Sequence, residues 1–404
     1  MDGKDAIRRL REVLDEESTG TWMDTRTSYD FLWEAATEYA ERTGCLTAEQ
    51  RIITQANVPN YALNWDFLRL HLRDSDNRFY IKFNNGSSDT FIKHKDYGEI
   101  YYNNSNYIVD LNASTTGLTT ATGSFTDDLQ DFSDWETTAG NAGYEIVIYD
   151  DDGRESKAFL GELTGTALTA VNIHSVAAVT GAAGFYQGSS TGTPSNYEVR
   201  KVSGQEVPGY FFIRDKQSLN TQITGTATSA GAATGGKSTL TDASGLFLTT
   251  DYVSPGDTVH NTTDASDGVV LAVTAATTID TALFGGTGND WSYSTGSADA
   301  YIIQPQGRSE IYLDPPPSTS NHLIRVPYIS RPAPVYSDYG TYRFSQQAME
   351  AIIRYAAWMY KYRDSEPDFG DRLFIMWDRA VRNEAHRLNP YLNRRRIKVN
   401  LKAR

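Results

Sequence analysis

Gly231-Ala-Ala-Thr-Gly-Gly-Lys-Ser238 satisfies the spacing GxxxxGK[ST] of a phosphate-cradling loop. Such a loop holds phosphate on backbone N–H groups and a lysine ammonium, between a strand and the start of a helix. Here Ser238-Thr-Leu-Thr-Asp242 follows, and it reads as a strand or turn in a Gly/Thr-rich stretch. The helix that nucleotide chemistry needs is missing. Asp150-Asp-Asp-Gly-Arg154 has the look of a calcium loop. An EF-hand, however, needs alternating oxygen ligands and a Glu at its twelfth position, which here is Gly161. A polar hairpin turn fits better. His71, His94, His174, His260, His322 and His386 are scattered, with no HxH or HxxxH spacing for a metal. Cys45 is the single cysteine, so neither an intrachain disulfide nor a cysteine zinc site can form. A Ser/His/Asp triad can be assembled on paper from so many Ser and Asp residues, but no Ser or His occupies a sharp strand-to-helix turn. The expectation is a protein that is not an enzyme, with no cofactor and no metal. Among Trp22, Trp33, Trp65, Trp135, Trp291, Trp358 and Trp377, only Trp135 and Trp291 lie in Gly/Thr-rich sequence where a ring could stack on a glycan.

Whatever the chain does must therefore come from surfaces. Its 404 residues suffice for two or three domains with their own cores. Tyr outnumbers Phe, 25 to 16, which suits half-buried contact surfaces. The net charge of −14 is uneven. Residues 343–404 carry 14 Lys and Arg against 7 Asp and Glu, a net of +7, and the remaining 342 residues carry −21. An acidic body with a basic tail meets different partners at its two parts, and the acidic body disfavours nucleic-acid binding. No apolar run of eighteen residues occurs, so no membrane helix is expected. The opening MDGKDAIRRLREVLDEE reads as an exposed helix rather than a signal peptide, and folding in a reducing cytoplasm fits.

Residues 4–16 have Ile7, Leu10, Val13 and Leu14 on one side, the period of a helix. A second helix is predicted from Thr27 or Ser28 as N-cap to Arg42, stopped by Thr43-Gly44, with Phe31, Leu32, Ala35, Ala36 and Tyr39 inward. The period then changes to two in segments 46–55, 61–74, 78–83, 89–96 and 101–111, a small antiparallel sheet. Near the other end, Ser345 can cap a helix carrying Ala348, Met349, Ile352, Ile353, Ala356, Ala357, Met359 and Tyr360 in one wide stripe. Asp364-Ser-Glu-Pro367 breaks it. A last helix runs from about Phe369 to Leu388, with Leu373, Phe374, Trp377, Ala380, Val381 and Ala385 inward.

Between these ends lie two Gly/Ala/Thr/Ser-rich stretches. Ser124-Phe-Thr-Asp-Asp-Leu-Gln-Asp-Phe132 aligns without a gap on Thr239-Leu-Thr-Asp-Ala-Ser-Gly-Leu-Phe247, and 158–169 matches the style of 269–280. Self-similarity of this length points to two homologous β-modules, sandwich or barrel. The fold class is thus α+β: a discontinuous core of N- and C-terminal helices with a small antiparallel sheet, plus two inserted all-β modules. The expected parts are core 1–116, module 117–205, core strand 206–221, second module 222–306, and core 307–404.

Three patches carry a family resemblance. They are the opening helix pair leading to Tyr-x-Leu-x-x-Asp-Phe-Leu at Tyr61 to Leu68, the segment IYLDPPPSTSNHLIRVPYISRPAP, and the paired C-terminal helices with AIIRYAAWMYKYRDSEP. Together they cover roughly half of the chain and resemble the phage head-to-tail adaptor family, which includes connector and tail-tubular ring proteins. Compact members lack the two β-modules, which look like sandwich units appended to virion proteins. The resemblance implies a virion protein of the neck, assembled in the host bacterial cytoplasm. It implies a homo-oligomeric ring of twelve subunits below the portal protein and above the tail or nozzle protein, with DNA passing through unbound. It also implies a C-terminal arm laid against the portal, here Arg394, Arg395, Arg396, Lys398, Lys402 and Arg404. The residues taken for core and subunit packing are Phe31, Tyr39, Ile352, Tyr355, Trp358, Phe374 and Trp377. The alternative is a tail-fibre or baseplate component that binds host glycan through its β-modules.

Overall fold

The computed structural model describes residues 1–15, 23–55, 58–71, 79–96, 108–119, 124–126, 144–149, 155–164, 167–173, 195–202, 207–216, 222–248, 253–294, 297–363 and 367–388, with backbone alone between 108 and 202. It is a mixed α+β protein. The chain divides into two units. One comprises Met1–Glu49, Asp66–Tyr80 and Pro327–Arg404; the other comprises Gln50–Trp65 and Ile81–Val326.

Among the described residues, the first unit contains four helices: α1 (Gly3–Leu14), α2 (Thr25–Thr43), α3 (Gln346–Arg363) and α4 (Pro367–Leu388). Each start has a local cause. The Asp2 carboxylate accepts the Asp5 N–H at 2.7 Å and caps α1. Gly3 sits where a Cβ would lie 2.2 Å from the Ser337 carbonyl, so no other residue fits there without a shift. Asp24 caps α2 by accepting the Thr27 N–H at 2.7 Å, and Gly44 ends it in the left-handed region. This corrects the expected cap. Thr27 and Ser28 lie inside the helix and spend their hydroxyls on Asp24. Ser345 caps α3 through the Ala348 N–H, as its position predicts. Pro367 opens α4 as its first residue, two positions earlier than expected, because a proline costs nothing where the N–H has no helical partner. α3 is the buried helix of the unit, with Met349, Ala351, Ile352, Ile353, Ala356 and Ala357 fully inside.

The strands follow in chain order. β1 (Thr47–Ile53), β2 (Asn60–Ala62), β3 (Phe67–Leu70), β4 (Lys82–Asn84), β5 (Asp89–Phe91) and β6 (Lys93–His94) come first. Then come β7 (Ile108–Thr119), β8 (Ser124–Thr126), β9 (Tyr144–Tyr149), β10 (Glu155–Thr164), β11 (Ala167–Ile173) and β12 (Ser195–Val202). β13 (Tyr210–Lys216), β14 (Ile223–Thr226), β15 (Ser238–Thr241), β16 (Thr258–Asn261), β17 (Ser266–Ala275) and β18 (Thr278–Phe284) are next. β19 (Tyr293–Ser294), β20 (Ser297–Ala298), β21 (Ala300–Gln304), β22 (Arg308–Asp314) and β23 (Leu323–Ser330) complete the set.

In the first unit, the end of β23 pairs with β3, Tyr328 opposite Leu70, and Tyr328 OH donates to Asp66 at 2.8 Å. In the second unit, β2, β22, β13 and β6 form one sheet in that order. Phe211, Ile311 and Leu313 are fully buried there, and Phe212 stacks on Tyr312 at 4.7 Å.

Two larger sheets share one strand order. β10-β11-β8-β7-β12-β9 is a closed barrel, and β14-β21-β16-β17-β18-β15 is a six-stranded sheet. Stepping from β7 to β14, β8 to β15, β9 to β16, β10 to β17, β11 to β18 and β12 to β21 carries each neighbour pair of the first onto a pair of the second, except where the second is open. A displacement of 111 residues takes β10 onto β17 and β11 onto β18, end to end. Phe125 pairs with Leu168 in one, and Leu240 with Ile279 in the other. The gap between β14 and β15 is bridged by Ser229 and Thr241.

Candidate functional site

The helical unit holds most of the residues predicted to pack. Tyr39, Ile352 and Trp377 are buried, and Phe31, Tyr355, Trp358 and Phe374 are half-buried. Four of them meet along the seam of α3 and α4. Tyr355 lies 4.2 Å from Trp377 and 5.1 Å from Trp358; Phe374 lies 4.9 Å from Trp358 and 5.4 Å from Trp377, all between ring centroids. The i, i+3 spacing on each helix sets the two aromatic pairs on facing stripes. Gly370 keeps the helices close, since a Cβ there would meet Trp358 at 3.3 Å. From α2, the Arg42 guanidinium stands 4.9 Å over the Trp377 ring while its Nε donates to Glu38. Burial, with Glu38 nearby, pushes the Tyr355 phenol up. Tyr39 is raised by burial as well and meets Phe344 edge-on at 6.1 Å. These side chains are spent inside one chain.

What the same helices turn outward was not singled out from sequence. On α4, Ile375 is 65% and Met376 48% exposed, beside exposed Arg372, Arg379 and His386. On α2, Asp30, Glu34 and Glu41 are exposed. The signal was available as same-sign charges seven residues apart, which share a face of a helix. The predicted arm residues Arg394, Arg395, Arg396, Lys398, Lys402 and Arg404 lie outside the described residues.

The other chemical candidates resolve into packing. Gly231 exchanges two backbone hydrogen bonds with Trp291, at 2.7 and 3.1 Å. Thr234 and Lys237 close a tight turn through Gly235 and Gly236, both at positive φ. Strand β15 follows instead of a helix, and Lys237 Nζ is paired to Asp280 at 2.7 Å. The lysine is thus spent on Asp280, and the turn leads into a strand, without the helix N-terminus a phosphate loop uses. Trp291 is 1% exposed and donates to Thr281 at 2.9 Å, so its ring is core and offers no face to a glycan. Trp135, Asp150–Arg154 and His174 lie outside the described residues, as does Gly188-Ser-Ser-Thr-Gly192, which has the GxSxG spacing of a nucleophile elbow.

His94 packs against Phe211, His322 against Phe83 and His71 against Tyr80, and His260 meets Asp267. Among the described residues, no three His, Cys, Asp or Glu side chains are grouped to hold a metal. Burial pushes the Cys45 thiol up, away from the reactive thiolate. No helix among the described residues is long and apolar enough to cross a membrane. Comparison with models of known families, with curated proteins and with solved structures gives no match.

Proposed function

We propose that the chain is a structural subunit of a phage neck, a head-to-tail adaptor that joins portal to tail as one member of a ring. The observation that carries this reading is the make-up of the helical unit. Its helices come from both ends of the sequence, α1 and α2 from one and α3 and α4 from the other. The sequence between them is β-rich, which suits a helical body meant to stand against neighbours while sheets reach other partners. The resemblance of the three sequence patches adds to this, and so does the charge distribution. An acidic body lets DNA slide past, and a basic arm of six cationic side chains after α4 orders on an acidic groove of the portal.

The two six-stranded sheets are read as inserted copies of one module. Their common strand order and the 111-residue displacement support a duplication. Loop-tip insertion is tolerated because closure entropy rises slowly with loop length. They face outward or toward tail parts in this reading. The glycan-binding alternative loses Trp291 as a platform, and no observation favours it.

The test is the mass and symmetry of the purified chain, alone and with the portal protein of the same genome, by light scattering and electron-microscope class averages. A ring of about twelve copies on the portal is expected. A trimer, or no association with the portal, would overturn the proposal. Removing 392–404 is expected to leave folding intact and abolish portal attachment; heads with normal tails assembled from the truncated chain would remove the arm from it.

A further inference from the structure

The aromatic seam is closed within one chain, so contact between copies has to use what α2 and α4 turn outward. On α4, Arg372, Ile375 and Arg379 stand at i, i+3 and i+7, one stripe pointing away from buried Leu373, Trp377 and Val381. Arg382 and Arg387 are committed to Asp378 and Glu384 on their own helix, whereas Arg372 and Arg379 are in no ion pair among the described residues. Ile375 and Met376 add apolar surface that water covers in the single chain. On α2, Glu34, Thr37 and Glu41 stand at the same i, i+3 and i+7, opposite buried Leu32, Ala36, Tyr39 and Ala40. Glu38 is committed to Arg42, whereas Glu34 and Glu41 are in no ion pair among the described residues. The two stripes have opposite charge, and seven residues of helix set the charges about 10.5 Å apart on each. Between the charges, one stripe carries a bulky apolar side chain and the other a small one.

We infer that the α4 face of one copy seats on the α2 face of the next, Arg372 and Arg379 against Glu34 and Glu41, with Ile375 over Thr37. The inference rests on the ring reading above and names its subunit contact. The two faces differ, so the contact is heterologous: each copy uses one face toward each neighbour. Such contacts generate a closed ring or an open filament rather than a two-fold dimer. Isolated exposed ion pairs contribute little, but apolar side chains between two of them exclude water and strengthen both. The same charges disfavour α4 against α4 and α2 against α2.

Charge exchange tests this. One variant carries Glu34→Arg with Glu41→Gln; Glu41 is neutralised rather than reversed because Arg69 and Arg331 feel its charge. The other carries Arg372→Glu with Arg379→Glu. Helix content and thermal midpoint are read by circular dichroism, and mass by light scattering at low and high salt, with and without the portal. Each variant alone is expected to keep its helix content and fall from the wild-type ring to a single chain. An equimolar mixture is expected to recover heterodimers or larger rings, because one junction keeps the wild-type pairs and the other sets the arginine introduced at position 34 against an introduced glutamate, with no like-charge pair at either. Wild-type rings are expected to loosen as salt rises. If either variant assembles like the wild type, or the mixture stays monomeric where the wild type assembles, this contact is wrong and the ring reading stands. A wild-type chain that remains monomeric with and without the portal overturns both.

Discussion

The helical seam and the second six-stranded sheet each bury a tryptophan almost completely, yet they are held by different means. Around Trp377 the neighbours are Tyr355, Phe374 and a stacked guanidinium, and the indole N–H has no acceptor among the described residues. Around Trp291 the indole N–H reaches Thr281, and Tyr301, edge-on to the same ring, donates to Asp242 at 2.8 Å. Asp242, Asp257, Asp280 and Asp299 are all buried in or beside this sheet, whereas no carboxylate is buried among the described residues of the helices. The difference follows from composition. Long α3 and α4 side chains fill their own interface. The second sheet also has an apolar core, with Leu240, Phe247, Val259, Val270 and Ile279 inside, but its Gly-, Ala- and Thr-rich strands bury polar groups beside it, and an unpaired one is costly. One region is stabilised by volume alone, the other by volume and a polar network together.

The two tryptophans test that contrast most strongly. Trp377→Ala and Trp291→Ala are each expected to cost about 3–5 kcal/mol in urea unfolding, since both remove a full buried side chain. Phenylalanine separates them. Trp377→Phe loses ring volume and part of the Arg42 stacking but no hydrogen bond, whereas Trp291→Phe also loses the hydrogen bond to Thr281, worth about 1 kcal/mol. Equal costs for the two phenylalanine variants would show that the network around Trp291 contributes nothing.

The next effect is in pH. Burial pushes the Asp257 carboxyl up to about 6, against N–H bonds from Ser254 and Gln306 that pull it down. The folded chain then holds this proton more tightly than the unfolded chain, whose carboxyl titrates near 4. Stability contributed at this site is therefore full below about pH 4 and falls as pH rises toward 6. A displacement of two pH units corresponds to roughly 3 kcal/mol. Calorimetry of the full chain between pH 4 and 7 is expected to show a transition for the sheet that weakens over this window, and Asp257→Asn is expected to flatten it. An unchanged slope in that variant would assign the pH dependence elsewhere. The seam, without a buried carboxylate, is expected to give no such slope.

Which of these features the sequence alone encodes depends on the force at work. The stripe from Ala348 to Tyr360 and the inward set Leu373, Trp377 and Val381 follow from a period of 3.6, and a period is a property of sequence alone. The start of α4 lies two residues before the position its apolar period predicts, because Pro367 reads equally as a breaker or as a first helical residue. Only the chain around it decides. Trp291 could be imagined on a surface because its burial depends on Tyr301 and Thr281, which no local rule brings to it. The outward stripes of α2 and α4 were visible as charge spacing but carried no meaning until the partners of Arg382, Arg387 and Glu38 were known.

The smallest expected effect sits where sequence and structure agree most closely. Ser345 precedes the apolar stripe of α3, and its Oγ accepts the Ala348 N–H at 3.2 Å while its carbonyl accepts from Met349 at 2.9 Å. Ser345→Ala removes only the side-chain acceptor and leaves one first-turn N–H to water, which costs about 1 kcal/mol. Asp24→Ala at α2 loses a charged acceptor that holds both the N–H and the hydroxyl of Thr27, so it is expected to cost more, toward about 2 kcal/mol. Both caps belong to the helical unit, and neither touches the aromatic seam. If unfolding of the helical unit is cooperative, each loss appears in full in its urea midpoint and leaves the transition of the second sheet where it was. A shift of that second transition by either substitution would show that the volume-filled and network-filled regions unfold together, and the contrast between them would then be one of composition only.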